Sequence, residues 1–240
     1  MKAEVLKAKN LVRSFAGADR SFTLRVPHFS VTAGSVNIVI GRSGCGKSTL
    51  LDMLGLISVA DAADEFQIKD SQDNWVDVCR ADTHRMESLR RHELGYILQT
   101  GGLLSFLKVI ENVSLPLQLN RKAFIDIDKL LQWLGIDALR NMYPSKLSTG
   151  QRQRVAIARA LAGSPRIILA DEPTGALDPV TAVSVRDLLI RCAKEQGAAV
   201  LIVTHDAELF RPAADVVYGF DICEQGNSVI STLRPEGANA

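Results

Sequence analysis

Short apolar runs along this chain are separated by stretches whose apolar residues recur with helical spacing. Residues 3–12 and 21–31 carry alternating or β-branched apolar residues, which predicts two strands at the start of the chain. Further on, buried strands alternate with helices, which predicts a mainly parallel sheet covered on both faces. We place these strands at 36–40, 94–98, 166–170 and 198–203, helices at 82–93, 126–134, 151–162 and after 179, and a last strand pair at 215–220 and 228–233.

The segment that follows the strand at 36–40 has the sequence GRSGCGKS and leads into a predicted helix. In this setting the G-x-x-x-x-G-K-[ST] pattern forms a phosphate-binding loop, because its glycines let successive N–H groups point inward. The helix N-terminus adds a favourable dipole. Lys47 would reach the outer phosphates, and the Ser48 hydroxyl would bind Mg²⁺. The nucleotide site is therefore predicted to include Gly41, Ser43, Gly44, Cys45, Gly46, Lys47, Ser48 and Thr49.

Polar residues follow three other apolar strands. Asp171 and Glu172 end the strand at 166–170, and we predict that Asp171 holds the metal through its water shell while Glu172 polarises the attacking water. His205 could hydrogen-bond the terminal phosphate. Gln99 has an amide that could bind Mg²⁺ or water weakly. Adjacent acids usually form a solvated loop and a lone histidine is mostly structural, but the carboxyl ends of parallel strands meet at one edge of a sheet.

The segment Leu147–Gln151, of sequence LSTGQ, directly precedes the helix at 151–162 and predicts a second anion site. One triphosphate does not need two such sites, so we expect this one to close on the nucleotide of another copy. The alternative is that Ser148 only caps the helix. Phe15, beside a predicted loop, could stack on an adenine ring or cap the core, and Phe22 is its rival for the stacking role.

Composition narrows the class of protein. The 240 residues are 47% hydrophobic and 23% charged, with a net charge of +1, so no strong field indicates a nucleic-acid partner. Four scattered cysteines without C-x-x-C spacing favour a reducing compartment over a disulfide framework or a zinc site. No apolar run is long enough to span a bilayer, and the first residues lack the apolar core of a signal peptide. We therefore expect a cytoplasmic protein.

Together these motifs resemble those of the ATP-binding cassette (ABC) ATPases, across essentially the whole chain. The resemblance implies an α/β P-loop NTPase fold, with a mainly parallel sheet core, an N-terminal antiparallel β part and a helical subdomain. Residues 1–98 and 164–234 would form the core, residues 99–163 the helical subdomain and residues 235–240 a tail. The matching motifs are Walker A at 41–49, the Q-loop at Gln99, the signature at 147–151, Walker B at 167–172, the D-loop at 175–178 and the switch histidine at His205.

The resemblance also implies how such a chain works. Two copies would bind two ATP head to tail, with Mg²⁺, and Ser148 and Gly150 would contact the partner's γ-phosphate. Gln151, Asp178 and the adenine-stacking Phe15 would complete the nucleotide site. ATP-driven closure would drive a membrane permease received by residues 101–119, which would hold the chain on the inner face of the membrane without direct nucleic-acid binding. The sequence looks most like the lipoprotein-release, macrolide-exporter and cell-division subgroup, which favours export or lipoprotein release.

Two positions depart from the usual pattern. Thr149 replaces a signature glycine, and its β-branched side chain is expected to weaken closure modestly. Cys45 is expected to place a thiol beside the phosphates, where alkylation would slow hydrolysis and ATP would protect. A non-transport ABC ATPase acting on nucleic acid or ribosomes is disfavoured by the near-neutral charge and the lack of a long heptad insertion. A nucleotide kinase would leave Leu147–Gln151 and His205 unexplained.

Overall fold

A single ten-stranded sheet runs through the part of the chain that the computed structural model describes, residues 3–17, 20–119 and 126–237. Its strands are β1 (Glu4–Ala16), β2 (Ser21–Thr32), β3 (Val36–Ile40), β4 (Glu65–Lys69), β5 (Trp75–Asp77), β6 (Leu94–Ile97), β7 (Ile167–Asp171), β8 (Ala199–Thr204), β9 (Val216–Gln225) and β10 (Ser228–Pro235). The helices are α1 (Lys47–Leu54), α2 (Thr83–His92), α3 (Val109–Leu119), α4 (Ile127–Trp133), α5 (Thr149–Ala162), α6 (Pro179–Gln196) and α7 (Ala207–Phe210).

The strand order is β5-β4-β1-β2-β10-β9-β3-β8-β7-β6. Strands β9, β3, β8, β7 and β6 pair in parallel, so the predicted parallel sheet is confirmed. Its register brings Asp171 opposite Val203 and Ile40 opposite Thr204. The loops that follow β3, β6, β7 and β8 therefore leave the sheet at one edge.

The other half of the sheet is mainly antiparallel. Strands β1, β2, β4 and β5 pair antiparallel, as do β9 and β10, and a parallel β10–β2 pair joins the two halves. Strand β9 continues to Gln225, although the sequence predicts that it ends at Phe220. Its last residues are exposed and mostly polar, but β10 satisfies their backbone hydrogen bonds.

Two apolar clusters cover the faces of the parallel strands. Along β7, Ile168 and Ala170 pack into the cluster that includes α3, α4, α5 and α6, while Ile167 and Leu169 pack into the cluster that includes β1, β2 and α1. Successive strand side chains point to opposite faces, so a strand buried on both sides reads as a continuous apolar run. This is why 166–170 has no polar alternation.

Helices α3, α4 and α5 lie within the predicted helical subdomain, and their apolar residues share the first of these clusters with the sheet. The exact division at residues 99–163 stays a prediction. Strand β10 includes Pro235, which pairs with Tyr218, and residues 238–240 of the predicted tail lie outside the described residues.

Candidate nucleotide site

The loop between β3 and α1 has the backbone that its glycines predict. Gly44 and Gly46 have φ angles of +80° and +104°, in the region that L side chains rarely adopt. A Cβ atom on Gly46 would also lie 3.1 Å from Cζ of Phe22. Gly46 caps α1 without a side-chain hydrogen bond, so no side chain competes with an anion for the N-terminal N–H groups.

A cavity of about 480 Å³ opens above this loop and brings the predicted strand-end residues together with it. The wall of the cavity is formed by Phe22, Ser43, Gly44, Gly46, Lys47, Ser48, Thr49, Gln99, Asp171, Glu172 and His205. The sequence motifs predict all of these residues except Phe22, which is the alternative to Phe15 for stacking on the adenine ring. The convergence follows from the parallel sheet, which delivers the ends of β3, β6, β7 and β8 to one edge.

Charged groups line the floor of the cavity. Lys47 Nζ donates to the carbonyl oxygens of Gly41 at 2.8 Å and Arg42 at 3.1 Å, and lies 3.9 Å from Glu172 Oε1. Ser48 Oγ donates to Asp171 Oδ2 at 3.2 Å. Burial raises the pKa of Asp171, and the neighbouring carboxylate of Glu172 raises it further, while the hydrogen bond from Ser48 opposes both.

The pair of Ser48 and Asp171 fits Mg²⁺. A hydroxyl and a carboxylate are the oxygen donors that this ion prefers, and Mg²⁺ in phosphate sites usually keeps several waters beside one or two protein ligands. A bound cation would also offset the cost of burying the Asp171 carboxylate. Gln99 is exposed and forms part of the wall of the same cavity.

Glu172 has a backbone conformation that the sequence did not reveal. Its φ is +45°, in the left-handed region, which costs a non-glycine residue about 1–2 kcal/mol. The turn places Glu172 Oε2 at 2.7 Å from His205 Nδ1 and 3.2 Å from the His205 backbone nitrogen, both of which donate to it. His205 therefore fixes the Glu172 side chain, and a strained backbone held in this way is typical of functional sites.

Gly175 lies between two other predicted site residues. A Cβ atom on Gly175 would be 3.6 Å from both Gln99 Nε2 and His205 Cε1. The segment after β7 thus packs closely against the side chains that end β6 and β8.

The signature residues lie outside the wall of this cavity. Ser148 caps α5: its Oγ accepts from Gln151 N at 3.2 Å, and Gln151 Oε1 accepts from Ser148 N at 2.9 Å. Gly150 packs against Thr181, whose Cγ2 would be 2.5 Å from an added Cβ. Asp178 caps α6 by accepting from Thr181 N at 3.0 Å. The capping role considered for Ser148 is confirmed, and contact of these residues with a nucleotide stays a prediction.

Two side chains differ from expectation. Cys45 is only 2% exposed, burial raises its pKa, and its Sγ would lie 2.5 Å from a Cβ on Gly41. The expectation of a reactive thiol beside the phosphates is therefore wrong, because the loop turns this side chain away from the cavity towards Gly41 and Phe220. Phe15 is 44% exposed and its ring centroid lies 6.5 Å from that of Phe22, the aromatic residue that reaches the cavity wall.

The fold and the site define an ATP-binding cassette, and the chain belongs to the ABC transporter family, whose model matches residues 24–175. It is 37% identical over 227 residues to the methionine import ATP-binding protein MetN of Cupriavidus pinatubonensis, covering 92% of this chain and 64% of that protein. MetN 4 of Oceanobacillus iheyensis is 36% identical over 240 residues, covering 97% of this chain and 68% of that protein. The chain thus spans roughly two thirds of the length of these curated relatives.

Solved structures show the same fold. The ATP-binding cassette MJ0796, solved as a dimer in a post-hydrolysis state bound to ADP and Pi, superposes with a TM-score of 0.76 at 30% identity, covering 98% of this chain and 99% of that one. CbiO1 of Clostridium perfringens, part of the ABC transporter complex cbiONQ, has a TM-score of 0.74 at 27% identity, covering 95% of this chain and 88% of that one.

These findings confirm the predicted family and fold. The two MetN relatives are methionine import proteins by name, so they do not support the export or lipoprotein-release type that the sequence suggested. Within the described residues, no helix is both long enough and apolar enough to cross a membrane.

Proposed function

We propose that this chain is the ATP-binding and ATP-hydrolysing subunit of an ABC transporter. The observation that carries the proposal is the single cavity in which the phosphate loop, the Ser48–Asp171 pair and the Glu172–His205 pair meet. These three features supply, in that order, three parts that phosphoryl transfer needs: charge stabilisation, metal placement and orientation of a water. Lys47 lies at the loop with only 10% of its side chain exposed, where a phosphate oxygen could replace its carbonyl acceptors.

Catalysis in such a site is electrostatic and positional. Ser48 and Asp171 would hold Mg²⁺, Asp171 through the water shell, and the ion would neutralise charge on the phosphates. Glu172 would orient the attacking water with Oε1, because Oε2 is held by His205 at 2.7 Å. The other ring nitrogen of His205, Nε2, takes no part in that bond, and because the side chain is 63% exposed, Nε2 could face the terminal phosphate while Nδ1 keeps Glu172 in place. Gln99 would sense the metal or that phosphate from the opening.

The adenine ring would stack beside the end of β1. Phe22 lines the cavity and Phe15 lies beside it, so the two rings together offer the apolar surface that a base needs. Phe15 would supply the outer face of the stack and Phe22 its inner boundary.

A second copy would complete the site. Ser148 and Gly150 lie outside the cavity wall at the N-terminus of a 14-residue helix, a position that suits a phosphate held by another copy. Gln151 and Asp178, which cap the helices beside them, would border the same contact. The similar cassette MJ0796 was solved as a dimer. ATP would thus bind between two head-to-tail copies, and hydrolysis would release them.

A membrane permease would transmit this cycle. A groove of about 200 Å³ between α2, α3 and α5 is lined by apolar and cationic groups, among them Leu94, Leu115, Pro116 and Arg91. It includes part of the segment 101–119 that the sequence predicts as the docking surface, and would hold the chain at the inner face of the membrane. The net charge of +1 gives no reason to expect direct nucleic-acid binding. The names of the relatives favour import over export.

Affinity purification tests the proposal. Tagged Glu172→Gln should bind ATP and hydrolyse it very slowly, and with ATP and Mg²⁺ it should retain an integral membrane protein from detergent-solubilised membranes of the source organism. Lys47→Ala is the matched control, because it should lose ATP and the ATP-dependent part of the capture. RNA, ribosomal or DNA-bound partners without a membrane protein would indicate the non-transport class, and ordinary turnover by Glu172→Gln would exclude that residue from the role.

A further inference from the structure

Arg159, near the C-terminal end of α5, hydrogen-bonds to the chain just after Gln99, and we call residues 99–102 the Gln99 segment. Its Nη1 donates to the carbonyl oxygen of Gly102 at 2.7 Å and its Nη2 to that of Gly101 at 3.0 Å. We propose that Arg159 is a positioning residue that ties the Gln99 segment to the signature helix, so that Gln99 follows α5 when α5 moves. The inference rests on the proposed function, which supplies the movement.

The two carbonyl groups are presented by an unusual turn. Gly101 and Gly102 have φ angles of +75° and +58°, and Gly101 N donates to the carbonyl oxygen of Leu98 at 2.9 Å. A Cβ atom on Gly102 would lie 2.7 Å from Leu98 Cδ1. Two consecutive left-handed residues aim both oxygens at one planar guanidinium, and glycine adopts this conformation at little cost.

The guanidinium of Arg159 fixes the geometry of its two hydrogen bonds to Gly101 and Gly102. Arg159 is half-buried and burial lowers its pKa, so the two carbonyl oxygens replace part of the hydration that its guanidinium has lost. A planar fork that donates to two acceptors also fixes direction as well as distance. A lysine in this place could not hold both carbonyls in that geometry.

The same helix carries the signature at its other end. Helix α5 is continuous from Thr149 to Ala162, and its residues Val155, Ala158 and Leu161 pack into the core cluster. We therefore expect the helix to move as one rigid element. Arg159 also lines the groove proposed for the permease, together with Leu115 and Pro116. Arg159 therefore contacts both the groove and the Gln99 segment. It does so from α5, the helix whose N-terminal end would contact the partner's ATP.

Hydrogen–deuterium exchange in Glu172→Gln, with and without ATP and Mg²⁺, tests the link. In that parent, ATP should slow exchange both at residues 148–154 and at residues 100–104. In Glu172→Gln/Arg159→Gln the slowing at 148–154 should persist while exchange at 100–104 with ATP should be at least about tenfold faster than in the parent. A purely structural role would change both segments together and would not depend on ATP.

Two further variants keep the outcome clear. Arg154→Gln is the matched control, because Arg154 lies on the same helix but donates to Leu134 O and Ser184 Oγ, and it should leave residues 100–104 as in the parent. Gly102→Ala distorts the turn with Arg159 intact and should reproduce the loss, which decides the matter if Arg159→Gln fails to fold. Equal ATP protection of both segments in Arg159→Gln, or in Gly102→Ala, would overturn the inference. Absence of ATP protection from both segments of the parent would instead overturn the proposed function.

Discussion

Substitutions at Ser148 can separate two roles of one hydroxyl group. As a cap, Ser148 Oγ accepts from Gln151 N at 3.2 Å, which uses a lone pair of the oxygen. As a ligand of the partner's ATP, the same hydroxyl would donate a hydrogen bond to the γ-phosphate. The two roles can therefore coexist, and a substitution that keeps only the acceptor distinguishes them.

The magnitudes follow from the geometry. Ser148→Ala removes the cap and should lower the free energy of unfolding by about 1 kcal/mol, whereas aspartate caps as well as serine and should leave it within about 0.5 kcal/mol of the parent. For dimerisation the order reverses. Alanine loses a hydrogen bond to a charged group at each of two sites, about 1.5–3 kcal/mol per site, while aspartate adds a carboxylate facing a phosphate. The ATP-driven dimer should weaken at least about 100-fold in Ser148→Ala and more in Ser148→Asp.

Sedimentation velocity in the Glu172→Gln background, with ATP and Mg²⁺, measures dimerisation, and urea unfolding measures stability on the same samples. We expect Ser148→Asp to be as stable as the parent yet monomeric with ATP. If Ser148→Asp dimerises with ATP as tightly as the parent, Ser148 is only a helix cap and the proposed contact across the dimer is wrong.

Three other predictions concern single side chains. A thiol-alkylating reagent should label the exposed Cys79 and Cys223 well before the buried Cys45, with or without ATP, and rapid labelling of Cys45 located by mass spectrometry would contradict the structure. Burial raises the pKa of Glu93 above its ordinary value of 4.5, so the folded chain binds this proton more tightly than the unfolded chain, and the free energy of unfolding should fall as the pH rises above that value and level off once the folded-state pKa is passed. Glu93→Gln should reduce that slope in urea titrations, and an unchanged slope would show that another group causes it. Thr149→Gly should strengthen ATP-driven dimerisation several-fold in the sedimentation assay and raise permease-coupled ATPase activity, and no gain in either would show that the threonine is not an obstacle to closure.

The strand–loop–helix unit from 36 to 54 was predictable because local signals agree there. An apolar run, a glycine motif and a helical pattern all specify the same backbone. The meeting of Gln99, Asp171 and His205 was predictable for a different reason, since each follows a strand of one parallel sheet. Residues that follow different parallel strands lie at the same edge of the sheet, so they are close in space although they are far apart in the sequence.

Side-chain direction within loops was not predictable in the same way. Whether Cys45 points at the phosphates or away from them depends on the path of the glycine loop against Phe220, which no local pattern encodes. The left-handed turn at Glu172 could not be predicted from the sequence, because the residue in that conformation is not a glycine. The transporter type also lay beyond the motifs, because they describe the nucleotide site that all such chains share.

We propose that each nucleotide is bound between the phosphate loop of one copy and the signature of another. Lys47→Ala and Ser148→Asp should each be inactive alone, because each damages both sites of its dimer. Mixed dimers would contain one intact site, so an equal mixture should recover about a quarter of the parent ATPase activity if the copies associate at random, and up to about half if the two damaged homodimers do not form. Recovery would support the head-to-tail arrangement. An inactive mixture in which cross-linking shows that mixed dimers have formed would contradict it.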